Sequence, residues 1–119
     1  MSIKYLILFA LIFISACASV TKQRVALQAA AHAETILITK PISLHLDTGY
    51  KRDIKPDSRW SYVGDIVKGK VYKPVDDVFS IEGTQRYEAY LVISKGRVVG
   101  FYLPASSNFS PLTDQVALP

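Results

Sequence analysis

Residues 87–103 read YEAYLVISKGRVVGFYL. Two runs rich in β-branched and aromatic residues flank Lys95-Gly96, a pair typical of a tight hairpin turn with glycine in the left-handed conformation. Gly100, in the returning run, indicates a bend or the close approach of another backbone. The stretch therefore predicts two antiparallel strands joined by a short turn.

The strand before that turn is apolar on both of its faces. Because successive side chains of a strand point to opposite sides, Ala89, Leu91 and Ile93 should point one way and Tyr90 and Val92 the other. A strand with two apolar faces is buried on both. We therefore expect this hairpin to lie at the centre of a sheet, with a packed layer on each side.

Strand patterning extends over residues 35–119, which we predict to form one small β domain. Alternating apolar positions predict strands near residues 36–46 (interrupted at Pro41), 60–66, 70–73 and 78–81. A Ser/Asn-rich loop is expected from Pro104 to Pro111, followed by a last short strand at 116–118. Short strands at this spacing favour a mainly β fold, either a small antiparallel β-barrel or a sandwich.

An alanine-rich segment precedes this domain. Residues 17–34 contain five alanines after Ala18 and neither glycine nor proline. Since alanine is the strongest helix former, we expect a short spacer that can form a helix over residues 22–33, capped by Thr21.

The first sixteen residues have the pattern of a secretory signal. Lys4 gives a basic start, and Tyr5–Ile14 is an apolar run of ten residues. A helix that spans the ~30 Å hydrocarbon core of a bilayer needs about 20 residues, so this run fits a signal-peptide core better than an anchor.

The run ends in Ile14-Ser15-Ala16-Cys17, which resembles the lipobox of bacterial lipoproteins. The resemblance implies cleavage between Ala16 and Cys17, acylation of Cys17 with palmitate-type chains, and attachment to a membrane through that lipid. Residues 1–16 would then be a lipoprotein signal peptide and residues 17–34 a lipidated spacer. Ala18 stands where an aspartate favours inner-membrane retention. We therefore expect the outer membrane, with the domain facing the periplasm, although the inner membrane and surface display stay open.

Composition excludes several other classes of protein. The chain has 119 residues and a formal net charge of +4, too mild for a nucleic-acid-binding domain. Its one cysteine leaves no disulfide, so lipidation is the simplest account of that thiol. An envelope protein is the expected partner besides the membrane.

Few residues suggest catalysis or metal binding. His32 and His45 are the two histidines, and with Cys17 lipidated they do not make a zinc set, so we expect no metal and no cofactor. His45 and Asp47 would share a strand face, but no nucleophile-elbow sequence accompanies them. We expect a protein that is not an enzyme.

Two surface features stay open to more than one interpretation. The first is a run of basic residues interleaved with aspartates: Lys51, Arg52, Lys55, Arg59, Lys68, Lys70 and Lys73. It is either a solvated mixed-charge surface or a contact for anionic lipid headgroups or an acidic partner.

The second is the aromatic content, seven Tyr, five Phe and one Trp. Such side chains serve as core or as a binding platform. As a platform, Tyr50, Arg59, Trp60 and Tyr62 would form a ligand or partner surface, and the domain would bind a glycan or a small amphiphile.

Overall fold

The computed structural model describes residues 22–46, 49–82 and 86–119, and these residues are mainly β. The strands are β1 (Gln23–Arg24), β2 (Gln28–Ala29), β3 (Thr35–Ile38), β4 (Ile42–His45), β5 (Lys51–Ile54), β6 (Ser58–Ile66), β7 (Gly69–Pro74), β8 (Ser80–Glu82), β9 (Arg86–Glu88), β10 (Tyr90–Ser94), β11 (Arg97–Leu103) and β12 (Asn108–Ala117). The predicted fold class is confirmed.

The predicted hairpin is the centre of the main sheet. The strand order of the main sheet is β1-β12-β11-β10-β7-β6-β2, with β3 paired to β6. All of these pairings are antiparallel. Lys95 and Gly96 both have positive φ, 53° and 75°. Positive φ at both central residues is the geometry of a type I′ turn, whose twist matches that of the strands it joins.

Both faces of the sheet are packed. On one face the small hairpins β4–β5 and β8–β9 contribute to the main core, whose members include Leu44, Ile54, Trp60, Ile81, Leu91, Ile93 and Phe101. The opposite face carries a second core of Ile66, Val71, Val92, Tyr102 and Phe109, with Tyr90 and Val25 against it. The two predicted faces of β10 are thus confirmed.

The sheet is strongly curled. Strands β1 and β2 stand at opposite ends of the strand order, six spacings apart, which would be about 29 Å in a flat sheet. The chain from Arg24 to Gln28 spans at most about 14 Å when extended. Curling into a half barrel is what brings the two edges within reach of one short segment.

The predicted helix over residues 22–33 is wrong. Gln23 and Arg24 pair with β12, and Gln28 and Ala29 pair with β6. Alanine gains at most a few tenths of a kcal/mol per residue over most other residues in a helix. The extended form instead lets this segment pair with two exposed strand edges, whose unpaired backbone groups would otherwise face solvent.

The predicted loop from Pro104 to Pro111 is also shorter than expected. A four-residue turn, 104–107, ends the hairpin, and β12 begins at Asn108. Ser107 has a φ of 56°, and the Asn108 side-chain amide donates to the Ser106 carbonyl at 3.1 Å. This side-chain hydrogen bond stabilises a turn that ends at residue 107, so β12 begins before Pro111. Phe109 then lies in the second core.

Candidate functional site

Two of the four predicted surface residues are buried. Trp60 is 2% exposed and Tyr62 is 7% exposed. The Trp60 ring packs edge-on against Phe79 at 5.3 Å between centroids, and its Nε1 donates to Ser58 Oγ at 3.0 Å. Tyr50 is half-buried against the main core. These rings act as core, and the exposed aromatic platform that the sequence left open is not formed.

Arg59, the fourth predicted residue, is exposed beside a cavity of about 330 Å³. Its guanidinium donates to Asp76 at 2.6 Å and 3.2 Å. This pairing raises the pKa of Arg59 and lowers that of Asp76. Across the same cavity Lys55 pairs with Asp77 at 3.2 Å. We call this end of the sheet, where Lys55 and Arg59 each pair with an aspartate, the matched end.

Arg52, on the same cavity, has a structural role. Its Nε donates to the Ser80 carbonyl at 2.7 Å, and its guanidinium lies 4.2 Å from the Phe79 ring centroid. Arg52 therefore connects β5 to β8 by a hydrogen bond and packs over Phe79 at the edge of the main core. These contacts already engage its guanidinium.

A polar cluster of Glu34, Tyr62, Asp65, Lys70 and Tyr72 was not anticipated from the sequence. Tyr72 donates to Glu34 at 3.0 Å and Tyr62 donates to Asp65 at 2.7 Å. Lys70 Nζ lies 3.7 Å from Glu34. The pairing of β3 with β6 brings Glu34 to residues far along the chain, and no local motif could have signalled it.

The cluster perturbs the acidities of its members. Burial, together with the hydrogen bond to Glu34, raises the pKa of Tyr72 to about 12. The bond from Tyr72 and the charge of Lys70 lower the pKa of Glu34. The hydrogen bond to Asp65 and burial raise the pKa of Tyr62. Each shift favours the protonation state that the group already has at neutral pH.

The Tyr72 shift predicts a loss of stability in alkali. Because the folded-state pKa lies above the ordinary value of 10.0, the contribution is fully present below pH 10 and is lost as pH rises towards 12. Tyr72→Phe should therefore lose less unfolding free energy than wild type over this window. Urea unfolding at a series of pH values measures the difference. Identical slopes for wild type and Tyr72→Phe would contradict the assignment.

The opposite end of the sheet is basic and largely unpaired. The turns Val67–Lys68 and Lys95–Gly96, together with Arg97, form what we call the basic tip. A cleft of about 510 Å³ beside it is lined by Lys68, Lys95 and Arg97. The structure thus divides the basic run of the sequence, placing Lys55 and Arg59 at the matched end and Lys68 at the basic tip.

The structure describes only some of the remaining candidates. His45 is exposed on β4, and Asp47 lies outside the described residues. His32 lies 3.5 Å from Glu34. Among the residues described, no three His, Cys, Asp or Glu side chains are grouped so that they could hold a metal ion, and no helix is long and apolar enough to cross a membrane. Ala16 and Cys17 also lie outside the described residues.

Comparison of the chain with protein-family models, curated proteins and solved structures gave no match.

Proposed function

We propose that the chain is a lipoprotein anchored by lipid on Cys17, with a non-enzymatic structural or protein-binding role in the cell envelope. The observation that carries the proposal is Ile14-Ser15-Ala16-Cys17, in which the only cysteine of the sequence follows an apolar run of ten residues and two small residues. The expected location is the outer membrane, facing the periplasm.

The arrangement of the β domain is consistent with such a role. Its core side chains pack on both faces of the sheet, and several of its perturbed ionisable groups are bonded to one another, as in Arg59–Asp76 and Tyr72–Glu34. Bonded ionisable groups of this kind favour binding or scaffolding over proton-transfer chemistry, which needs a group whose pKa lies near the working pH.

The first test is metabolic labelling with palmitate in a bacterial host. Wild type should incorporate the label and fractionate with membranes. Cys17→Ser removes the only thiol and should abolish both labelling and processing, since the thiol receives the lipid. Ser19→Ala, two residues beyond, is the matched control and should be labelled like wild type. Label retained by Cys17→Ser would refute the proposal. Crosslinking of the lipidated chain in intact envelopes would then identify the protein partner.

A further inference from the structure

The basic tip is formed by two turns that project from the same end of the sheet. The β6–β7 hairpin closes at the pair Ile66–Gly69 and the β10–β11 hairpin at Ser94–Arg97. Because β7 pairs with β10 through Lys70 and Ile93, the two turns lie side by side. A second shallow cleft is lined by both turns, so the basic tip is one continuous surface.

The charges of the basic tip lack carboxylate partners. Within the described ranges, no ion pair involves Lys68, Lys95 or Arg97. The residues that line the 510 Å³ cleft include no Asp or Glu. Asp65 lines the neighbouring cleft and accepts a hydrogen bond from Tyr62, and it forms no ion pair with these three cations in the described part of the chain. At the other end of the sheet, by contrast, Lys55 and Arg59 are each matched by an aspartate. The basic tip therefore brings together three cations that make no ion pair among the described residues, whereas at the other end Lys55 and Arg59 are paired and Lys73 is not.

An exposed apolar residue, Val67, lies in the β6–β7 turn among these cations. Val67 is 91% exposed, the most exposed large hydrophobic side chain of the described chain, and Lys68 follows it directly. Beside the cleft, Lys68 Nζ lies 5.8 Å from the centroid of the Phe109 ring. An exposed apolar apex beside lysines is suited to a bilayer interface, where the apolar group enters the headgroup layer and the cations meet lipid phosphates.

The first strand brings the predicted anchor close to this surface. Phe109 lines the cleft of the basic tip, and Gln23 pairs directly with it. The chain from Cys17 to Gln23 spans at most about 20 Å when fully extended. Lipid on Cys17 would therefore hold the cleft near the bilayer.

We propose that the basic tip docks onto anionic lipid headgroups and so orients the anchored domain on its membrane. This inference rests on the proposed function, because it takes the membrane to be the one that holds Cys17. The acyl chains supply attachment, and the tip supplies orientation: it brings Lys68, Lys95 and Arg97 against the phosphates while the matched end of the sheet, with Arg59 and Asp76, faces away.

The test places an environment-sensitive fluorophore at either end of the full-length protein. Val67→Cys places the label at the basic tip. Val78→Cys places it on another exposed valine, 75% exposed, at the matched end. The lipidated protein is purified and reconstituted into vesicles of phosphatidylcholine, with or without phosphatidylglycerol, that carry a quencher on the lipid headgroup. We expect quenching at position 67 in the anionic vesicles, relieved by salt, and none at position 78.

A charge variant tests the cause of docking. Lys68→Gln, Lys95→Gln and Arg97→Gln together, in the Val67→Cys background, should weaken docking on the order of a hundredfold, since each cation near an anionic surface contributes about fivefold. The matched control removes equal charge from the other end through Lys55→Gln, Arg59→Gln and Lys73→Gln, and should dock as before.

The outcomes separate this inference from the proposed function. Mass spectrometry of the same samples shows whether Cys17 carries lipid. A lipidated protein with equal quenching at positions 67 and 78 overturns the docking inference and leaves the anchor standing. An unlipidated Cys17 overturns the proposed function, and with it the membrane named here. A photo-crosslinker at position 67 that captures a protein instead of lipid in envelopes also overturns the inference.

Discussion

Leu91→Ala in the central hairpin should destabilise the domain strongly. Leu91 is fully buried, and in the register of the sheet it stands between Phe101 and Tyr72 on the two neighbouring strands. Truncation of a buried leucine costs about 2–5 kcal/mol, because the transfer energy of the lost methyl groups adds to that of the cavity left behind. Small domains have only about 5–15 kcal/mol of stability in total. The melting temperature should therefore fall by on the order of 10 °C or more.

Lys55→Ala is the control for this measurement. Lys55 forms one ion pair with Asp77, and the two side chains are 80% and 71% exposed. Pairs this exposed are worth less than about 1 kcal/mol, so the variant should melt close to wild type. Circular dichroism on heating and urea titration measures both variants. If Leu91→Ala melted like wild type while Lys55→Ala unfolded the domain, the assignment of inside and outside would be reversed.

The central hairpin could be predicted because its information is local. Alternation over residues 89–93 and the Lys95-Gly96 turn both belong to one continuous stretch, and a turn with positive φ at both central residues fixes the register of the strands it joins. The two apolar faces of β10 then implied a layer on each side. The structure has that arrangement, with Leu91 in the main core and Val92 in the second core.

The N-terminal segment could not be predicted in the same way, because its conformation is decided by distant partners. Nothing near Val25 or Ala30 in the sequence reveals that their amides donate to the carbonyls of Ser107 and Val63, each at 3.0 Å. Local alanine content therefore gave the wrong secondary structure. The polar cluster was missed for the same reason, since Glu34 meets Tyr72 only after β3 has paired with β6.

Exposure was equally hard to predict for the aromatic residues. Trp60 and Tyr62 lie in a strand flanked by charged residues, a pattern that suits both a binding surface and a core. The difference depends on Phe79, which is nearly twenty residues away in sequence and packs against Trp60. Lys55, Arg59 and Lys68 are all exposed, and the sequence alone did not show that Lys55 and Arg59 have acidic partners while Lys68 has no ion pair among the described residues.

Gly100→Ala should also destabilise the domain, because it places a methyl group where two rigid neighbours leave no room. A Cβ at Gly100 would lie against the Ser110 carbonyl oxygen and 2.7 Å from the Phe109 ring. Neither can yield easily, since Ser110 is paired in the sheet opposite Phe101 and Phe109 is 3% exposed in the second core. Overpacking of this kind costs about 1–3 kcal/mol, and we expect the upper end of that range.

Gly96→Ala is the matched control, because it separates backbone conformation from space. Gly96 has a φ of 75°, yet a Cβ there would meet nothing within 4 Å. Its cost is therefore conformational alone, about 1 kcal/mol. Urea unfolding should rank wild type, Gly96→Ala and Gly100→Ala in order of decreasing stability. Gly100→Ala should also displace Phe109 from the cleft of the basic tip, which an NMR shift of that ring would report. The reverse ranking would mean that β11 and β12 do not approach each other at Gly100 as closely as the structure shows.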